Sequence, residues 1–298
     1  MRTIFNGIAI GIANIIPGVS GGTLAVILGV YDRLIEAISE FLSNKEKRKS
    51  NLLFLFKIGI GVSVGIFAFA KLISFCLETF PKPTAFFFMG LIIGGIPVIY
   101  KSHTNMKPSI KKIVFFIIAL FIILILSLFT ASKGVPISPG EVTAGLAIFM
   151  FVSGFIAAGT MVVPGISGSF MLLLLGSYST IIGAVSSLED NIFALKGLLV
   201  NKEGLAAWLG SNQPLLSSLK TDFLILGMVF LGAVVGIIVF TRVIHICLKT
   251  KPVYTYYVIL GLIVGSLFKI FPGISFDVTG LISLVSLATG ILISRNLG

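Results

Sequence analysis

Two short stretches decide how this chain folds: PGVSGGT over Pro17–Thr23 and PGISGSF over Pro164–Phe170. At their offset of 147, Leu28, Gly29, Tyr31, Ile35, Ala37 and Ser39 also fall on Leu175, Gly176, Tyr178, Ile182, Ala184 and Ser186. Ten of the 23 positions from Pro17 to Ser39 match, which marks an internal repeat. A second block recurs at an offset of 171, placing Gly61, Gly65, Cys76, Pro81, Gly90 and Gly94 on Gly232, Gly236, Cys247, Pro252, Gly261 and Gly265. The two offsets differ by 24 residues, which the second half carries near Glu189–Asp222. With Trp208 and Pro214, residues 189–222 read as an extra loop holding a short interfacial helix.

Between these blocks the sequence is apolar. Of 298 residues, 56% are hydrophobic and 11% charged, and the mean hydropathy is +1.11. A soluble domain carries roughly 25% charged residues. Apolar runs near the roughly 20 residues that cross a bilayer as helix, without two-residue alternation, exclude a soluble enzyme and an outer-membrane barrel. The net charge of +11 sits in short loops, the ordinary positive-inside signature, so no nucleic-acid partner is expected. Cys76 and Cys247 show no metal-ligand spacing, and no metal or cofactor is expected. The apolar start after Arg2 runs into the Pro-Gly motif instead of a small-residue cleavage site, so no cleavable signal peptide is expected.

The expected fold class is an all-α integral membrane protein of two inverted-topology repeats, each a re-entrant helical hairpin plus three transmembrane helices. The first repeat, 1–131, holds a hairpin at 3–42 and spans at 52–76, 84–100 and 113–131. The second, 141–298, holds a hairpin at 143–188 and spans at 223–248, 254–271 and 278–294. The arm 3–16 reaches only about 21 Å at 1.5 Å per residue, short of a roughly 30 Å hydrocarbon core, so the first hairpin dips in and returns. The arm near 143–163 is long enough to span. If both hairpins behave alike, each half has an odd number of crossings, and the second is inverted relative to the first. Loop charge agrees: with both termini in the cytoplasm, 13 of the 22 basic residues lie in cytoplasmic segments and six outside.

Irregular backbone is tolerated at membrane depth only where protein buries it or it lines a polar cavity. Inverted repeats with broken helices near the midplane are a recurrent architecture of secondary transporters. The tips suit an anion. Pro17, Gly18, Gly21, Gly22, Pro164, Gly165 and Gly168 shape the turns and admit close approach, and Ser20, Thr23, Ser167 and Ser169 offer hydroxyl donors. The competing reading is close helix packing by small residues. Lys71 and Arg242, equivalent at the offset of 171, lie in long apolar runs and read as electrostatic gates or as snorkelling cations. Asp32, Glu36 and Glu40 share one helical face, as a solvated stripe or, for Asp32 and Glu36, a proton-coupling site. His103 and His245, with no partner spacing, read as peripheral.

PGVSGGT and PGISGSF, each followed by three spans, resemble the bacterial polyprenyl-phosphate transporter family over essentially the whole chain. The resemblance implies a flippase that returns undecaprenyl phosphate, carrier lipid of cell-wall synthesis, from the outer to the inner leaflet of the cytoplasmic membrane. It places the phosphate on the tip residues and leaves the oligomeric state open. One rival is an integral-membrane polyprenyl-diphosphate phosphatase, whose similar motif also holds an arginine. Neither tip here contains Arg, so the cationic clamp for charge on phosphorus is missing. The other rival is a small-anion transporter, which would enclose its site instead of opening it to the bilayer.

Overall fold

A computed structural model describes residues 1–16, 19–41, 43–101, 105–128, 143–196 and 213–297. They form twelve helices and, among the described residues, no strand. In chain order these are α1 (Arg2–Ile15), α2 (Gly21–Ile27), α3 (Tyr31–Ser39), α4 (Arg48–Thr79), α5 (Pro81–Lys101), α6 (Ile110–Leu128), α7 (Ala144–Val162), α8 (Gly168–Leu175), α9 (Tyr178–Lys196), α10 (Gln213–Thr250), α11 (Pro252–Ile270) and α12 (Val278–Leu297). Lipid offers the backbone no hydrogen-bond partner, which is why even the β-branched run of α6, IKKIVFFIIALFIILILSL, is helical.

Seven of the helices are long and apolar enough to cross a membrane: α4, α5, α6, α7, α10, α11 and α12. The chain is a multi-pass membrane protein. Six of the seven cover the spans read from sequence, and α7 is the long arm before the second motif. At 14 residues α1 rises about 21 Å and at 19 residues α7 rises about 28 Å, so the two arms are unequal. The segment read as an extra loop differs at both ends. Helix α9 runs on to Lys196 and α10 begins at Gln213, so 189–196 and 213–222 are helical. Trp208 falls outside the described residues.

Each motif is followed by a short helix broken at a glycine in the left-handed region, Gly29 at φ +67° and Gly176 at φ +75°. These are equivalent at the offset of 147, and the second break turns the chain by 103° between α8 and α9. L side chains resist that conformation, so glycine at both breaks is a backbone requirement.

By packing, the chain divides into two compact units. One comprises Met1–Leu128, Met161–Ser167 and Ile238–Gly298, the other Phe129–Thr160 and Gly168–Ile237. In the first, α5 and α11 are the interior helices: 56% of the most apolar stretch of each is buried, against 17% in α4 and 11% in α6.

Glycines set the helix pairs. A Cβ on Gly61 would lie 2.2 Å from the Ile4 carbonyl and one on Gly65 2.4 Å from that of Ile8, so α4 packs backbone to backbone on α1. In the second unit Gly232 and Gly236 of α10 meet Phe151 and Phe155 of α7 in the same way, at 2.0 and 2.2 Å. The partners are equivalent, since Ile4 and Ile8 fall on Phe151 and Phe155 at the offset of 147. Gly90 and Gly94 of α5 abut the Leu287 and Ile291 carbonyls of α12, while Gly261 of α11 abuts that of Phe116 of α6 and Gly265 faces the Ile123 side chain, with the Leu120 carbonyl 3.3 Å from an added Cβ. Here too the partners are equivalent, since Phe116 and Leu120 fall on Leu287 and Ile291 at the offset of 171. The last span of each half therefore packs on the middle span of the other. For that reason the first compact unit takes helices from both halves instead of following the repeat boundary.

Candidate functional site

The two motifs meet in the first unit. Helix α1 ends at Ile15, Ile16 turns to extended backbone, and Ser20, also extended, begins α2. Asn14 Oδ1, from the last turn of α1, accepts the Gly21 amide at 3.1 Å, satisfying one of the orphan donors at the start of α2. In the second motif Gly165 stands at φ +87°, and a Cβ there would lie 2.6 Å from the Leu262 carbonyl, so glycine is required twice over. The Gly165 amide donates to Thr23 Oγ1 at 2.9 Å, a buried bond 142 residues apart in the chain. The Tyr31 hydroxyl donates to the Val162 carbonyl at 3.1 Å, taking up an unpaired acceptor at the end of α7. A Cβ on Gly22 would lie 3.4 Å from that same carbonyl.

One polar group at the meeting point has no protein partner among the described residues. Ser20 Oγ is buried, and Ser20 is 4% exposed. An unsatisfied buried hydroxyl costs about 1–3 kcal/mol, so such a group calls for an explanation. A ligand with acceptor oxygens supplies one.

Beside the second tip lies a cavity of about 530 Å³. Buried Tyr31, Pro164 and Leu262 form its inner end, and exposed Lys111 and Lys251 its mouth. Phe115 and Tyr254 stand between, edge to face with ring centroids 5.4 Å apart.

The acidic face of α3 is partly exposed, and each of its carboxylates is also bonded. Asp32 accepts the Tyr256 hydroxyl at 2.5 Å. Glu36 accepts Lys47 at 2.7 Å and pairs with Arg33 at 3.3 Å. Glu40 accepts Lys249 at 3.0 Å and faces His245 at 3.3 Å and Lys47 at 3.5 Å. The hydrogen bond from Lys47 holds the Glu36 carboxyl below the usual carboxylate range, and that from Lys249 does the same for Glu40. His245 is thus not peripheral: with Lys249 it ties the last turns of α10 to the end of α3.

Pro17, Gly18 and His103 lie outside the described residues. Thr23 is bonded to Gly165, with Ser20, Gly21 and Gly22 beside it in the same tip, and Ser167 is half-buried just before α8. Gly168 and Ser169 belong to the second unit, the first buried and the second exposed. Lys71 is exposed on α4, and Arg242 is exposed at a separate cavity of about 300 Å³ with Ile38, Phe41 and Leu55. Neither lines the larger cavity.

Sequence reasoning missed Tyr31, Lys111, Lys251 and Tyr254. Tyr31 carried a signal, as the residue matched by Tyr178 in the repeat, whereas the lysines were indistinguishable from other loop bases. It also missed Asp222, buried in the second unit, which accepts Ser187 at 2.7 Å and Asn191 at 3.2 Å. This network staples α9 to α10, and an acid in an apolar run with a serine and an asparagine one helix away was its only trace.

The undecaprenyl phosphate translocase-like family model matches residues 10–283. A polyprenyl-phosphate transporter of Staphylococcus aureus is 32% identical over 298 residues, 99% of this chain and 95% of that protein. One of Vibrio cholerae is 30% identical over 285 residues, 91% of this chain and 78% of that protein. No solved structure matches significantly. With nearly its whole length covered, the chain belongs to the undecaprenyl phosphate translocase-like family, whose named members here are transporters and not enzymes.

Proposed function

We propose that this chain carries undecaprenyl phosphate from the outer to the inner leaflet of the bacterial cytoplasmic membrane for reuse in cell-envelope synthesis, with both termini in the cytoplasm. The observation that carries the reading is the joining of the two motif tips through Thr23 and Gly165 beside the unpartnered Ser20 hydroxyl. Two re-entrant tips from halves of inverted topology would hold the phosphate between them. The recurrence of the glycine contacts at 147 and 171 supports the two halves, and the bias of loop charge supports the inversion.

Inward return of a negative charge against an inside-negative potential costs roughly 2.3 kcal/mol per 100 mV for each charge. Proton uptake by the phosphate, co-transported protons, or consumption of the lipid at the cytoplasmic face offsets it. Of the acids proposed for coupling, Glu36 is held ionised by Lys47 and suits a tether. Asp32, bonded to the Tyr256 hydroxyl and following the cavity-lining Tyr31 in the chain, is the acid we assign to coupling. Lys71 and Arg242 act in this scheme as charges at the outer and inner faces.

The test is reconstitution with labelled polyprenyl phosphate, scoring leaflet exchange and release of inorganic phosphate from the diphosphate in parallel. Exchange without hydrolysis is expected, and hydrolysis would restore the phosphatase. Ser20→Leu should abolish exchange in folded protein, and retained exchange would remove the tips from the path. Equal rates with and without imposed pH and voltage gradients would exclude coupling.

A further inference from the structure

We infer that the 530 Å³ cavity beside the second motif is a berth for the phosphate and first isoprenyl units of a polyprenyl phosphate, with Lys111 and Lys251 as the counter-charges of the headgroup. The inference rests on the transport reading and deepens it, since it assigns a second station for the lipid beyond the tips. The volume lies within the roughly 300–1,000 Å³ of small-ligand sites.

The cavity is graded as an anionic amphiphile is graded. Two helices build it the same way, each with a lysine at the mouth and an aromatic ring about one turn further in: Lys111 with Phe115 on α6, and Lys251 with Tyr254 at the start of α11. The rings contact each other and lead to the apolar inner end at Pro164 and Leu262.

Lys249 is bound to Glu40, Lys47 to Glu36 and Glu40, and Lys112 to the Asn105 and Lys107 carbonyls. Among the described residues, Lys111 and Lys251 have no acid within ion-pair distance. Two uncompensated cations suit a phosphate monoester, which carries between one and two negative charges near pH 7. A phosphodiester lipid has a single phosphate charge and two chains, and matches the pair less well. The rest of the polyprenyl tail stays in the bilayer.

Cys247 lines the same cavity and is exposed, whereas Cys76 is half-buried, so occupancy can be read without transport. With Cys76→Ser as background, maleimide modification of Cys247 is timed in detergent with farnesyl phosphate, farnesol, inorganic phosphate or phosphatidylglycerol. Farnesyl phosphate is expected to slow it several-fold and the other three are not. K111Q/K251Q should weaken that protection roughly tenfold or more, the scale of lost charge-assisted bonds, while K111R/K251R retains it. Thermal unfolding confirms that each variant is folded, and the Arg variant serves if the Gln variant is not.

Equal protection by farnesol, phosphate or phosphatidylglycerol, unchanged affinity in the Gln variant, or loss of affinity in the folded Arg variant overturns the proposal. Leaflet exchange is measured on the same preparation. Exchange by the unsubstituted protein without protection overturns the berth alone, whereas protection without exchange supports the berth and overturns the transport reading.

Discussion

Thr23 Oγ1 accepts the Gly165 amide at 2.9 Å, so the first tip completes the hydrogen bonding of the second. Both residues are buried. Thr23→Val keeps the shape and removes the acceptor, leaving a buried N–H unpaired at a cost of about 1–3 kcal/mol. Thr23→Ser restores the oxygen. In detergent, thermal unfolding of the Val variant should fall well below wild type while the Ser variant stays close to it. Equal midpoints for the two would mean that the bond does not hold the tips together.

Glycines on the same helices should diverge according to what they face. At Gly61 and Gly232 an added Cβ would lie about 2 Å from a carbonyl oxygen of the partner helix, as at Ile4 for Gly61 (2.2 Å) and Phe151 for Gly232 (2.0 Å). Alanine at either is expected to cost about 1–3 kcal/mol or more through overpacking. Gly59 and Gly227 have nothing within 4 Å, so alanine there should be neutral or stabilise the helix by roughly 0.5–1 kcal/mol. Unfolding midpoints of the four variants check this.

Backbone conformation and crowding separate at two other glycines. Gly29 at φ +67° has no heavy atom near an added Cβ, whereas Gly165 at φ +87° also faces the Leu262 carbonyl. Gly29→Ala should cost about 1–2 kcal/mol, the price of a left-handed residue, and Gly29→Asn less. Gly165→Ala adds a clash to the strain and should be the worst of the three. A smaller loss at Gly165 than at Gly29 would contradict the turn geometry.

Acid should loosen the contact between α3 and the end of α10. Glu36 and Glu40 titrate below their ordinary range in the folded protein, because Lys47 and Lys249 stabilise their ionised forms. Carboxyls depressed in this way add stability that is complete above the ordinary carboxylate value and disappears as pH falls through the lower folded-state value. The unfolding midpoint should therefore hold steady across neutral pH and decline below about pH 4. Glu40→Gln should lower the neutral-pH midpoint and flatten the decline. High salt should weaken both contacts, since the Lys47 and Lys249 side chains are 52% and 62% exposed.

How much was legible varies by element for physical reasons. The spans at α4, α5, α6, α10, α11 and α12 were readable because hydrophobic length is a local property. The tip residues were readable because the chain states them twice. The ends of α9 and α10 were not, since a polar helix emerging from the bilayer lacks the apolar run that marks a span. The face of α3 was half legible: the spacing of Asp32, Glu36 and Glu40 showed one stripe, but Tyr256, Lys249 and His245 come from more than 200 positions away. The cavity was illegible, because Lys111 and Lys251 resemble any loop lysines until α6 and α11 stand side by side.

The amino-acid sequence by itself determined that this chain lives in a membrane, where its membrane-length apolar helices lie, and that a glycine-rich break occurs twice. Those features depend on neighbours in the chain, since each helix must satisfy its own backbone in lipid. The tertiary structure decided which helices pair, that the last span of each half lies on the middle span of the other, and that a buried serine, a buried tyrosine and two lysines gather around the second tip. Pairing depends on backbones approaching closely enough for glycine alone, at Gly90 against Leu287 and Gly261 against Phe116, and no local pattern of hydrophobicity encodes the partner.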